Sequence, residues 1–132
     1  MATIELTKEN LITTINDHDT VLVDFWAPWC APCRQFAPVF ESMSESHSGI
    51  VFGKVNTEEQ QELAASFQVR SIPTLTIFRQ QIIVFSQPGA LPPAGLESVI
   101  EKVAALDMDE VHRQVAEQAQ AENFLTSTLR SL

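Results

Sequence analysis

The chain has 132 residues, enough for one domain with a real hydrophobic core and no covalent staples. Its 45% hydrophobic and 19% charged content excludes wholesale disorder. A formal net charge of −9 argues against nucleic acid and anionic membrane as partners, because both need a basic face.

In chain order, Thr7 is predicted to cap a short helix from Lys8 to about Ile15, with Leu11, Ile12 and Ile15 inward. Asn16-Asp17-His18-Asp19 breaks it. Val21–Trp26 is an apolar run with one acid, Asp24, inside it. That is the pattern of a strand buried on both faces in a parallel or mixed sheet. A helix is predicted from about Cys30 to Ser46, striped by Phe36, Val39, Phe40 and Met43 and kinked at Pro38. Ile50–Val55 reads as a strand and Glu58–Phe67 as a helix with Leu63, Ala64 and Phe67 inward. Thr74–Arg79 and Ile82–Ser86 read as a hairpin turning at Gln80-Gln81, and Leu96–Leu106 as a helix. This order gives an α/β domain, a mixed sheet covered on both faces.

Residues 107–132 form a second, polar region after the domain of residues 1–106. Their apolar stripe is thin: Met108, Val111, Val115 and Ala119. The expectation is a helix from about Asp107 to Ala121 with a mobile end beyond Phe124. Phe124, Leu125 and Leu129 stand out in that tail as apolar residues at helical spacing.

Cys30 and Cys33 are the chain's two cysteines, placed between the apolar strand and a helix. A pair at this spacing can close and reopen a disulfide, which points to dithiol–disulfide chemistry. An inert pair, or half of a shared metal site, is the alternative; two thiols alone cannot complete tetrahedral zinc. The residues from Met1 to Glu5 show no basic and apolar leader, and no run is long enough to span a bilayer. The expected location is the cytoplasm, where a lone thiol pair is catalytic sooner than structural. His18, His47 and His112 lie in separate segments without ligand spacing and read as solvated surface residues, so no metal site is expected. Glu97, Glu101 and Glu110 read as a solvated acidic face.

Several of these blocks together resemble the thioredoxin family over about residues 2–106. They are Val23-Asp24-Phe25-Trp26-Ala27, Trp29-Cys30-Ala31-Pro32-Cys33, Pro38, Gly53-Lys54-Val55-Asn56, Val69-Arg70-Ser71-Ile72-Pro73-Thr74 and Pro88-Gly89-Ala90-Leu91. The resemblance implies a thioredoxin fold with a central mixed sheet flanked by helices, here with a C-terminal helical extension. It departs from the family at Ala31, where glycine is usual, and at Gln80-Gln81, where the missing hairpin glycine implies another turn type or a longer turn.

Within that frame Cys30 is expected to be the nucleophile, exposed at a helix N-terminus that favours its thiolate, and Cys33 the resolving thiol. The resemblance implies that Asp24, its pKa raised by burial, takes the Cys33 proton, and that Lys54 modulates it. A capping Asp, or an Asp24–Lys54 salt bridge, is the structural alternative. An X-Pro bond is usually trans, but the resemblance implies a cis Ile72–Pro73 bond. Trp29, Ile72, Pro73, Gly89 and Ala90 would then form a shallow groove for an extended substrate. Trp26 fits core or groove, and Trp29 the more exposed position. The implied substrates are disulfides of other proteins, recharged by an NADPH-dependent, flavin-containing thioredoxin reductase, with no bound cofactor beyond the Cys30–Cys33 pair. The rival reading is a thioredoxin-like binding module or chaperone-like adaptor docking through its C-terminal helix. A third is an oxidase or isomerase, which the Ala-Pro spacer does not suit. Oligomeric state is left open.

Overall fold

The computed structural model describes residues 2–131. Its elements are β1 (Thr3–Glu5), α1 (Leu11–Asp17), β2 (Thr20–Trp26), α2 (Ala31–Ser46), β3 (Val51–Asn56), α3 (Gln61–Ser66), β4 (Thr74–Arg79), β5 (Ile82–Pro88), α4 (Pro93–Ala104) and α5 (Met108–Ser131). Five strands form one sheet in the order β1-β3-β2-β4-β5. β3 runs parallel to both β1 and β2, while β4 is antiparallel to β2 and β5, so the sheet is mixed.

Alternation along β2 builds the two cores. Val21, Val23 and Phe25 point to one face, where they pack with Leu6, Leu11, Ile15, Val55 and Phe78. Leu22 points to the other, among Phe36 and Phe40 of α2, Phe52 and Ile77 of the sheet, and Leu96 and Ile100 of α4. By the same alternation Asp24 shares the α2 face with Leu22. Close packing of the chain entering α1 depends on one glycine: a Cβ at Gly53 would collide with the Leu6 side chain.

The element boundaries shift for local reasons. Residues after Thr7 first make a turn in which Leu11 N–H donates to Thr7 O (3.0 Å) and Asn10 Oδ1 accepts from Thr7 N–H (2.7 Å), so regular helix starts at Leu11. Ile12, expected inward, is exposed. β1 adds three residues that the pattern did not reveal, since so short a strand carries no period. α3 is shorter than its apolar pattern, and α4 starts early, at Pro93, because proline suits a first helical turn. β5 continues to Pro88. The hairpin turn keeps its two-residue length without glycine. Gln80 and Gln81 both adopt positive φ (51° and 70°), as a type I′ turn requires. Asp19 braces it, accepting from Gln80 N–H at 2.7 Å and from the Gln80 amide at 3.3 Å. His47 is not a free surface side chain: its Nε2 lies 2.9 Å from Glu97 Oε2, linking the end of α2 to α4.

The largest difference is α5, which runs on as helix to Ser131 instead of ending near Ala121. The domain holds its start. Met108 is buried, Val111 is half-buried, and Val115 and Ala119 are exposed. Arg79 Nη1 donates to Val103 O (2.8 Å), Ala104 O (3.3 Å) and Leu106 O (3.2 Å), fixing the corner between α4 and α5. His112 Nε2 lies 2.7 Å from Gln80 Oε1. Among the described residues, no helix is long and apolar enough to cross a membrane.

Candidate active site

β2 carries Asp24 and Trp26 toward one end of the sheet, and the chain then turns sharply into α2. Cys30 is the N-cap of that helix, its Sγ accepting from Cys33 N–H at 3.2 Å. Pro32 in the first helical turn needs no donor there, so the sequence Cys-Ala-Pro-Cys starts the helix without loss. Cys30 and Cys33 form a disulfide, with their Cα atoms 5.2 Å apart. Both sulfurs are more enclosed than expected of Cys30: the residues are 5% and 2% exposed, packed with Ala27 and flanked by Trp26 and Ile72.

The loop before β4 comes to the pair from the other side. The Ile72–Pro73 bond is cis, and the Ile72 carbonyl oxygen lies 3.7 Å from Cys30 Sγ. Gly89 N–H donates to Pro73 O at 2.8 Å, which brings the β5–α4 loop, with exposed Ala90, against the same place. Gly89 has φ +108°, a conformation that strains residues with a side chain. Trp29 is 64% exposed, and its indole N–H donates to Glu58 Oε1 at 2.5 Å. Glu58 had no sequence signal of its own; only the fold brings it 29 residues back to Trp29.

Asp24, on the strand that leads to the pair, is fully buried, with no hydrogen-bond partner for either carboxylate oxygen among the described residues. It neither caps a backbone group nor makes a salt bridge. Burial pushes its carboxyl up from 3.8 to about 7, and the Lys54 ammonium pulls it partly back. Lys54 is the register partner of Asp24 on β3, and its Nζ sits 4.8 Å from the centroid of the half-buried Trp26 ring. The cation is thus placed near Asp24 without bonding to it. The two carboxyl states differ little in free energy near neutral pH, so the group can take and return a proton there. Among the described residues, no three His, Cys, Asp or Glu side chains gather as a metal site.

A disulfide at a helix N-terminus can open to a thiolate and a thiol, and close again, without leaving its place. That makes the protein a thiol–disulfide oxidoreductase whose redox group is its own cysteine pair. Comparison with known proteins agrees. The Thioredoxin family model matches residues 2–102. Putative thioredoxin 2 of Streptomyces coelicolor is 58% identical over 117 residues, 89% of this chain and 87% of that protein. Thioredoxin 1 of a Nostoc species is 42% identical over 103 residues, covering 76% and 96% of the two chains. A mutant thioredoxin from Halobacterium salinarum superposes with a TM-score of 0.72 at 30% identity, over 79% of this chain and 92% of its own. The chain belongs to the thioredoxin family.

Proposed function

We propose that this oxidoreductase is a protein-disulfide reductase, acting in the cytoplasm and recharged by an NADPH-dependent thioredoxin reductase. The domain of residues 1–106 carries the activity and residues 107–132 are accessory. The observation that supports this most is the placement of Cys30: its sulfur sits beside the Ile72 backbone, where an extended chain can pair and present its disulfide. Trp29, Ile72, Pro73, Gly89 and Ala90 form the binding surface around it.

In the reaction, the Cys30 thiolate attacks one sulfur of the substrate disulfide. A mixed disulfide forms, and the other substrate sulfur leaves as a thiolate that takes a proton from solvent. Cys33 then gives its proton to ionised Asp24 and attacks Cys30 Sγ. The Cys30–Cys33 disulfide closes and the second substrate thiolate departs, so two electrons have passed to the substrate. The N-terminus of α2 stabilises the Cys30 thiolate, and Lys54 tunes Asp24 by charge. A binding module would have no use for a buried, unpartnered carboxylate, which only costs stability; the adaptor reading is therefore not favoured.

Insulin reduction, followed by turbidity with NADPH and a thioredoxin reductase, tests the reading. Rapid turnover abolished by Cys30→Ser supports it. Client binding that survives loss of both cysteines, with no turnover, would replace it with the adaptor.

A further inference from the structure

Among the described residues, the end of α5 and a groove at its foot are both apolar and open, and they cannot meet within one molecule. The first is the end of α5. Phe124, Leu125 and Leu129 are 70%, 60% and 69% exposed. The second is a cavity of about 300 Å³ between β5 and α4, lined by Val84, Phe85, Val99, Lys102, Val103 and Leu106. It lies at the foot of α5, since Leu106 is two residues before Met108. A straight helix rises about 1.5 Å per residue, so Phe124 stands about 24 Å along the axis from Met108. The anchored corner holds the helix start in place, with Met108 buried and Arg79 bonded to three carbonyls. The tip cannot fold back into its own groove while α5 stays helical.

We propose that a second copy of this chain fills the groove, each α5 reaching across to the partner and receiving the other's tip in return. The geometry closes on itself. If each foot lies beside a groove and each tip enters the opposite one, the two helices run antiparallel about a two-fold axis. Val115 and Ala119, exposed and near the middle of that span, then meet close to the axis. The charges agree as well: Lys102 stands on the groove wall, and Glu122 lies just before the apolar tip. The three tip side chains expose roughly 350 Å² of surface. Burying that on both arms comes to roughly 700 Å², to which the shallow grooves add less, an area in the class of weak, reversible association. The dimer also accounts for a 24-residue helix that buries little against its own domain.

Analytical ultracentrifugation of the full chain across the micromolar range tests this. The expected result is a reversible dimer. The double variant Phe124→Ser/Leu125→Ser, altered only at exposed positions, should raise the dimer dissociation constant by about tenfold or more while circular dichroism shows the domain still folded. Lys102→Glu should weaken the dimer, and adding Glu122→Lys to the same chain should restore it. A wild-type chain that stays monomeric at about 100 µM overturns the proposal. So does a dimer that ignores Lys102→Glu, which would mean that α5 pairs with α5 alone and leaves the groove empty.

Discussion

Replacing Asp24 with Asn should stabilise the oxidised protein at alkaline pH and do so less, or not at all, in acid. The unfolded carboxyl ionises at 3.8, and the folded one is held up to about 7 by burial. Below 3.8 both forms are protonated and the group contributes nothing to the pH dependence. Between the two values the folded state alone keeps the proton, so stability falls as pH rises, by about 1.4 kcal/mol per pH unit. Above 7 both are ionised and the full cost, about 4 kcal/mol, is in place. Asn cannot ionise. Its amide finds no partner here either, which adds a constant penalty of about 1–3 kcal/mol at every pH. The readout is therefore the change with pH. Urea unfolding of both oxidised proteins near pH 4 and pH 8.5 should show the Asn variant gaining about 4 kcal/mol relative to wild type between the two conditions. A difference that does not move with pH would mean that Asp24 is already ionised in acid, by a partner that the geometry does not contain.

The same variant should lower the rate of substrate release from the mixed disulfide near neutral pH, by about tenfold or more, measured by rapid quenching with a disulfide peptide. Lys54→Gln removes the charge that pulls the Asp24 carboxyl down, so the pH profile of that step should move to higher pH; a shift the other way refutes the coupling. Cys33→Ser should accumulate mixed disulfides through Cys30, seen on non-reducing gels, and Cys30→Ser should not; equal trapping by both reverses the assignment. Truncation after Leu106 should keep insulin reduction near the full-length rate but cost about 1–2 kcal/mol in thermal unfolding, because buried Met108 goes with it.

Much of the fold was legible because its elements are patterned locally. Val21–Trp26 reads as a doubly buried strand, and the stripe Phe36, Phe40 marks the inner face of α2; both stand where those patterns place them. What escaped was set by tertiary contact. β1 exists because it pairs with β3, and three residues cannot announce that alone. Ile12 has the spacing of a core residue, yet α1 starts late and turns it to solvent. The Gln80-Gln81 turn keeps two left-handed non-glycine residues because Asp19, 61 positions before the first of them, accepts two hydrogen bonds from it.

The candidate site divides in the same way. The cysteines announce themselves by spacing, and Asp24 by being an acid in an apolar strand. The missing bond to Lys54 had to come from the structure: two register partners on neighbouring strands usually suggest an ion pair, and here the ammonium lies over Trp26 instead. That displacement decides what the acid can do. A direct salt bridge would hold the carboxyl ionised and low, a poor acceptor for a thiol proton. A carboxyl with neither partner nor nearby charge would stay protonated well past neutrality and accept none. Set between these limits, the Asp24 carboxyl is held near neutrality, where a group can exchange a proton with a thiol, and the fold carries the cost as lost stability above pH 7.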